Sequence, residues 1–164
     1  MRFTLLPITR ADAQAISRWR YDGPYWVYNV DPTSVDSLLE PRFLYHAVYG
    51  TGDLVGYFCF GEDARVSAGR RLGVYERESA LDVGLGMRPD LTGQGLGAEF
   101  LSAGLRFAQD SYSPPAFRLT VAIFNRRAIS VYERAGFEPL ETFGPTTRDG
   151  DWLLMKRGPW ANRL

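Results

Sequence analysis

The feature of this chain that most constrains its fold is a glycine-rich turn between a predicted strand and a long predicted helix. The strand is predicted over 80–87 and the helix over 94–110, and the turn reads Thr92-Gly93-Gln94-Gly95-Leu96-Gly97. The apolar side of the helix holds four residues, Phe100, Leu101, Leu105 and Ala108. Because the first N–H groups of a helix lack internal partners and glycine permits close approach of a ligand, this turn predicts a phosphate-binding site.

Other interpretations of the same turn fit less well. Gly93, Gly95 and Ala98 satisfy the relaxed dinucleotide pattern, but no carboxylate follows at the end of the next strand near Asn125. A P-loop requires Gly-Lys before Ser or Thr, whereas Gly97 is followed by Ala98. A tight connection that binds no ligand is the remaining alternative.

Hydrophobic patterning predicts the other elements of the chain. Strands are predicted over 3–6, 43–49, 54–60, 118–124, 137–143 and 152–156. Helices are predicted after Thr9, over 33–39 and over 126–135. Turns are predicted at 50–53 and at Asp149-Gly150, and residues 61–78 are predicted to form an exposed loop. This order favours an α+β fold with a mixed sheet over a doubly wound parallel sheet.

Composition limits the classes of protein to which the chain can belong. Its 164 residues fit one domain spanning 1–164. The 19 basic and 19 acidic residues leave no net charge to attract nucleic acid or an anionic membrane. No apolar run approaches the ~20 residues that span a bilayer, and no signal peptide is evident, so a cytoplasmic protein is expected. Cys59 and His46, each the only residue of its type, cannot form a Cys/His zinc site, and no metal is expected.

A second motif follows the glycine-rich turn after one helix and one strand. Residues 125–137 read Asn-Arg-Arg-Ala-Ile-Ser-Val-Tyr-Glu-Arg-Ala-Gly-Phe. Together with the turn, this block resembles motifs A and B of the GNAT (Gcn5-related N-acetyltransferase) superfamily. The resemblance implies a GNAT-type α+β fold with a mixed central sheet of six to seven strands and about four helices. It also implies an N-acetyltransferase that moves an acetyl group from acetyl-CoA to a primary amine of a small molecule or a protein.

The resemblance implies where acetyl-CoA would bind. Its pantetheine arm would bond to the main chain of Leu85 and Met87, and Asn125 and Tyr132 would contact the same arm. The pyrophosphate would lie on the turn and the first residues of the helix, which are Thr92, Gly93, Gln94, Gly95, Leu96, Gly97 and Ala98. Thr92 stands where the family usually has Gln or Arg, so either the affinity is lower or another basic residue compensates.

The family's mechanism, direct attack of the amine on the thioester, implies roles for two residues. Tyr132 would give a proton to the departing thiolate; the alternative is that it is a buried aromatic of the helix. Asp82 would act as base or organise water; the alternative is that it pairs with a neighbouring Arg or Lys. Cys59 lies in an apolar segment and is predicted to be an inert thiol.

The acceptor and the partners are less constrained by the sequence. An aromatic loop that holds Tyr21, Asp22, Tyr25 and Tyr28 would form the acceptor pocket, or would pack against the sheet. A homodimer is possible through the late strands and Pro159-Trp160. A non-catalytic acetyl-CoA-binding module and a dinucleotide-dependent oxidoreductase are the alternative functions.

Overall fold

A seven-stranded sheet forms the centre of the computed structural model, which describes residues 1–144 and 151–159. Its strands are β1 (Phe3–Pro7), β2 (His46–Gly50), β3 (Asp53–Phe60), β4 (Leu81–Met87), β5 (Phe117–Ala122), β6 (Glu138–Phe143) and β7 (Trp152–Arg157). They lie in the order β1-β2-β3-β4-β5-β7-β6. The predicted turn at Asp149-Gly150 and the residue Trp160 lie outside the described residues.

The sheet is mixed, as predicted. Strands β4 and β5 run parallel, and every other neighbouring pair in the described sheet is antiparallel. The β2–β3 hairpin turns at Thr51 and Gly52, whose φ angles of 52° and 85° are both positive. Two central residues with positive φ match the twist of paired strands, which explains this tight connection.

Five α-helices accompany the sheet in the described residues. They are α1 (Arg10–Ser17), α2 (Val35–Leu38), α3 (Ser67–Leu72), α4 (Gly97–Tyr112) and α5 (Arg126–Arg134). Thr9 and Asp12 form a reciprocal capping box at the start of α1, as expected for a Thr followed by an acid three residues later. The longest of these helices has 16 residues, and none in the described ranges combines the length and apolar content needed to cross a bilayer.

Two predicted segments that precede the glycine-rich turn differ from the structure. Strand β2 begins at His46 instead of residue 43, because Pro41–Phe43 form a 3-10 turn and Leu44 adopts a left-handed conformation with φ of 52°. The segment 61–78 is not only a loop, since it contains α3. Only Gly69 of this short helix is buried, so the segment carries no apolar periodicity that would predict it.

Helix α4 also begins later than predicted, at Gly97 instead of Gln94. Gly93 and Gly95 have φ angles of +74° and +78°, which a right-handed helix does not accommodate. The glycine-rich segment is therefore a separate turn in front of the helix.

The two faces of the sheet are covered by different layers. Helices α4 and α5 pack on one face over the main core, where the rings of Phe58 and Phe100 stack at 4.9 Å. The other face carries two smaller clusters, one around Ile16 of α1 and one around Tyr75. Side chains alternate along a strand, so Tyr57 and Cys59, which flank Phe58, point to this second face.

Candidate active site

A cleft opens where β4 and β5 diverge. The two strands pair only at Leu81–Phe117 and Asp82–Arg118, and beyond this point they separate. The cleft between them has a volume of about 1100 Å³. It is lined from both faces of the sheet, by the α4 and α5 side and by the side to which Tyr57 points. The cleft therefore passes through the sheet.

The edge of β4 that faces this cleft presents main-chain groups without a strand partner. The N–H of Leu81 bonds to Ala116 O on the β5 side at 2.9 Å, whereas Asp82 O accepts from Gly61 on the β3 side at 2.8 Å. Because these directions alternate along a strand, Leu85 and Met87 direct their N–H and C=O groups into the cleft. Both residues line it, which is the position predicted for contacts to a pantetheine arm.

The glycine-rich turn forms the mouth of the cleft. Thr92, Gly93, Gly95, Leu96 and Gly97 line it. No side chain caps α4 within the described part of the chain, so its first N–H groups stay available to a ligand. Space beside Gly95 is open, since a Cβ atom added there would meet nothing within 4 Å. The turn thus has the geometry of an anion site at a helix N-terminus.

Two predicted residues of this segment do not line the cleft. The side chain of Gln94 donates to Asp90 O at 2.7 Å and is exposed. Ala98 lies in the first turn of α4 and is also absent from the cleft wall. Any contact of these two residues with a ligand would therefore come from their main-chain N–H groups.

A basic residue that the sequence interpretation did not name lies over the turn. Arg127, the second residue of α5, places Nη1 2.8 Å from the position of a Cβ atom on Gly93. Its guanidinium stacks on the ring of Tyr25 at 4.9 Å. Arg127 is therefore held beside the N–H groups of the turn, where Thr92 lacks the usual cation. The sequence predicted only that some basic residue could compensate for the cation missing at Thr92, and it did not indicate which one.

The predicted residue Asn125 caps α5 and also faces the cleft. Its Oδ1 accepts from Ala128 N at 3.2 Å, and its Nδ2 donates to the hydroxyl of Tyr28 at 3.2 Å. The Tyr28 hydroxyl also accepts from Ala122 N at 3.2 Å. Tyr28 thereby occupies the end of β5 nearest the cleft and fixes Asn125.

The hydroxyl of Tyr132 faces the cleft without a hydrogen-bond partner among the described residues. Its ring packs edge-on against Phe137 at 6.1 Å, so the ring also has the packing role that was the alternative. Burial raises the pKa of the Tyr132 hydroxyl above its ordinary value, and the hydroxyl therefore stays protonated across the physiological range. A protonated hydroxyl beside the diverging strands can donate to a leaving group.

Asp82 does not have the surroundings of a general base. Arg118 donates to both of its oxygens, at 2.6 and 2.8 Å, and Arg65 donates to Oδ2 at 2.8 Å. Asp82 and Arg118 are each 1% exposed, and neither lines the cleft. This geometry favours the ion-pair alternative over the prediction that Asp82 acts as a base.

Replacing Asp82 by Asn is expected to lower the free energy of unfolding by about 3 kcal/mol, because the buried Arg118 loses its counter-charge. Urea denaturation measures this change. The matched control is Asp36→Asn, which breaks an exposed pair with Arg10 and should cost less than about 0.5 kcal/mol. The pH–rate profile of the folded Asp82→Asn variant should match that of the wild type; a displaced profile would restore Asp82 as the base.

Another carboxylate, Asp63, lies in the cleft where the sequence indicated only an exposed loop. It follows β3 in a 3-10 turn, and its Oδ2 accepts from the hydroxyl of Tyr45. The neighbouring Ala64 packs against Gly84, with its Cβ 3.3 Å from where a side chain on Gly84 would begin. Asp63 is thus close to β4, and no sequence motif predicted its position in the cleft.

The predicted acceptor loop reaches the same cleft, since Tyr21, Asp22, Tyr25 and Tyr28 all line it. The Tyr21 hydroxyl donates to Met87 O at 2.6 Å, which ties the loop to the end of β4. The loop therefore packs on the sheet and also lines the cleft, and its role in binding an acceptor stays a prediction.

Cys59 lines the cleft but is not set up as a nucleophile. Burial raises the pKa of its thiol to about 12, with a smaller contribution from the charge of Asp63. A thiol that stays protonated at neutral pH is a poor nucleophile. The site therefore favours chemistry without an acyl-cysteine intermediate.

Comparison with known proteins identifies the family and the fold. The family model described as "Acetyltransferase (GNAT) domain" matches residues 2–138. A mycothiol acetyltransferase of Streptomyces coelicolor is 39% identical over 92 residues, which make up 56% of this chain and 26% of that protein. The chain thus spans only 26% and 29% of the lengths of two curated relatives that it matches.

Solved structures share the fold at low sequence identity. Aminoglycoside acetyltransferase AAC(6′)-Ib, solved in complex with coenzyme A, has a TM-score of 0.71 and 19% identity and covers 96% of this chain and 95% of its own. Mutant forms of the spermidine/spermine N-acetyltransferase of Vibrio cholerae have a TM-score of 0.67 and 18% identity, with 96% and 95% covered.

The diverging parallel strands and the uncapped glycine turn define an acyl-CoA-binding class of fold. With the family match over residues 2–138, the chain belongs to the GNAT acetyltransferase family. This membership confirms the family and the α+β fold that the two motifs predict, and acetyl-CoA is the donor that this family uses.

Proposed function

We propose that this protein transfers the acetyl group of acetyl-CoA to a primary amine by direct attack in a ternary complex. The observation that supports it best is that one cleft joins three features: the uncapped N–H groups before α4, the free edge of β4 and the Tyr132 hydroxyl. In this proposal the N–H groups bind the pyrophosphate of the donor, the edge of β4 binds its extended pantetheine arm, and the Tyr132 hydroxyl contacts the thioester sulfur.

Donor binding follows from the two main-chain features. The N–H groups of Gly93 to Gly97 converge on the pyrophosphate, and the pantetheine amides pair with Leu85 and Met87 as an added strand would. The Tyr21 hydroxyl donates to Met87 O, so the arm would pair at Met87 through the N–H group. A main-chain N–H group of this edge beside the thioester would stabilise the developing oxyanion.

The reaction then needs one bond made and one broken. The nitrogen of the neutral amine attacks the thioester carbonyl carbon, and the C–S bond breaks as the tetrahedral intermediate collapses. The amine loses a proton to the Asp63 carboxylate, directly or through water. The departing thiolate accepts a hydrogen bond and then a proton from the Tyr132 hydroxyl.

The alternative functions lack a supporting observation of this kind. A dinucleotide-dependent oxidoreductase would need an acid after β5, and Asn125 stands there instead. A binding module would not need a protonated hydroxyl aimed at the arm of the donor.

Release of free coenzyme A thiol from acetyl-CoA tests the proposal, with phenethylamine, spermidine, kanamycin and a peptide with a free N-terminus as acceptors. We expect acetyl-CoA-dependent release with at least one amine, and an acetylated product by mass spectrometry. Tight binding of acetyl-CoA by calorimetry without release for any amine would favour the binding module. A preference for NAD over acetyl-CoA would favour the oxidoreductase.

Arg127 is proposed as the cation that replaces the one missing at Thr92. Arg127→Gln should weaken acetyl-CoA binding about tenfold, because one charge-assisted contact to phosphate is worth about 1.5 kcal/mol or more. Calorimetry at low and high salt measures the loss, which should shrink as salt rises.

The control for Arg127 is its neighbour. Arg126→Gln removes an equal charge from an exposed position that does not line the cleft. Acetyl-CoA affinity should then stay within about twofold of the wild type, since a screened surface charge contributes little. Equal losses in both variants would show that Arg127 acts only through the overall field.

A further inference from the structure

The cleft continues on the face of the sheet opposite α4. The residues that line this part, which we call the aromatic chamber, include Tyr21, Tyr45, Tyr57, Cys59, Asp63, Val66 and Trp152. The rings of Tyr45 and Tyr57 lie 6.1 Å apart. Because the donor turn lies on the α4 side, the aromatic chamber is the part of the cleft left for the acceptor.

Charge in the described wall of the cleft is sparse and balanced. Asp22 and Asp63 are its only carboxylates, and Arg127 and Arg134 are its only cations, among the described residues. Asp22 is exposed on the loop, and Arg127 is beside the glycine turn. Asp63 is therefore the one charged group of the aromatic chamber.

Asp63 is held in place and its charge is not neutralised. The Tyr45 hydroxyl donates to Oδ2, and burial raises the pKa of that hydroxyl, which keeps it a donor. No described Lys, Arg or His forms an ion pair with Asp63, whereas Asp82 has two such partners. The second oxygen, Oδ1, accepts no hydrogen bond from a described residue.

We infer that the aromatic chamber selects a compact amine with one positive charge and an apolar or aromatic body, whose ammonium group meets Asp63. This inference rests on the proposed function and names the acceptor class within it. A single carboxylate matches a single ammonium, and the faces of Tyr45 and Tyr57 attract both a cation and an apolar ring.

The same wall disfavours acceptors with several ammonium groups. Each additional charge would enter aromatic surroundings without a carboxylate partner, and its desolvation would not be repaid. Arg127 and Arg134 would repel any charge that extended toward the α5 side. Aminoglycosides and spermidine, for which the similarly folded enzymes are named, are therefore poor matches for this chamber.

Calorimetry of amines against the protein saturated with coenzyme A tests the inference without requiring turnover. The probes are phenethylamine, with one charge and a ring, spermidine and kanamycin. We expect phenethylamine to bind at least tenfold more tightly than either polycation. In Asp63→Asn, which preserves shape, phenethylamine affinity should fall about tenfold while coenzyme A affinity stays unchanged. Tighter binding of spermidine or kanamycin, or unaltered phenethylamine affinity in Asp63→Asn, would overturn the inference.

A second variant with a smaller change controls for a folding defect in Asp63→Asn. Measuring turnover distinguishes the acceptor class inferred here from the proposed function. Tyr45→Phe removes only the hydroxyl that holds Asp63, and should reduce phenethylamine affinity about threefold. Asp36→Asn, a remote exposed acid, should leave it unchanged. Amine binding in this pattern without release of coenzyme A thiol would contradict the proposed function alone. Release with spermidine as the better acceptor would contradict the acceptor class alone.

Discussion

Replacing Gly95 by Asp is expected to reduce acetyl-CoA affinity about a thousandfold, because a carboxylate would stand where the pyrophosphate meets the helix N-terminus. Two or more charge-assisted hydrogen bonds, each worth about 1.5–3 kcal/mol, would be lost or opposed. Protein atoms do not crowd this position, since an added Cβ would meet nothing within 4 Å. A loss of acetyl-CoA affinity measured by calorimetry therefore reports on contacts with the ligand and not on a packing defect in the protein.

Gly95→Asn is the matched control for this variant. Asn has nearly the same shape as Asp and tolerates the positive φ of 78° better than most residues. We expect Gly95→Asn to lose about tenfold in affinity through size and strain alone, at a cost of about 1–2 kcal/mol. The difference in acetyl-CoA affinity between Gly95→Asp and Gly95→Asn measures the contribution of the negative charge. Equal affinity for Gly95→Asp and the wild type would show that the turn binds no phosphate.

Replacing Tyr132 by Phe is expected to lower kcat about a hundredfold, the low end of the range for a lost general acid. The low end applies because a thiolate is a good leaving group even without help. The KM for acetyl-CoA should change less than about threefold, since the ring and its contact with Phe137 remain. Steady-state kinetics by thiol release separate the two constants.

The pH dependence gives a second test of Tyr132. Burial raises the pKa of its hydroxyl, so the proton is present at neutral pH and is lost only when the pH rises through that higher pKa. Deprotonation of Tyr132 should therefore leave wild-type kcat unreduced at about pH 10, where a free tyrosine with a pKa of about 10 would be half deprotonated. If Tyr132→Phe has the same kcat as the wild type, the Tyr132 hydroxyl takes no part in the reaction and the residue serves only in packing.

The sequence was informative where local pattern and main-chain chemistry decide the structure. The glycine turn before α4 and the apolar side of α4 follow from local spacing, and the four residues of that side are buried as predicted. The mixed sheet followed from the order of the predicted elements. Boundaries shifted where backbone conformation overrode patterning, as at Leu44 and Gly93 with their positive φ.

Long-range pairing decided the parts that the sequence did not reveal. Asp82 and Arg118 are 36 residues apart, so their contact could not be inferred from spacing along either strand. Asp63 and Arg127 reach the cleft only because the sheet brings β3 and α5 to opposite sides of β4. Polar residues in short connecting turns carry no periodicity, and their roles depend on the tertiary fold.

A passage with an opening on each face of a sheet has a kinetic consequence. Donor and acceptor would arrive through separate entrances and would not compete for one, so either could load first and an excess of one would not block the other. Initial rates measured against both substrates should give intersecting double-reciprocal lines, and coenzyme A should depart without waiting for the amide product.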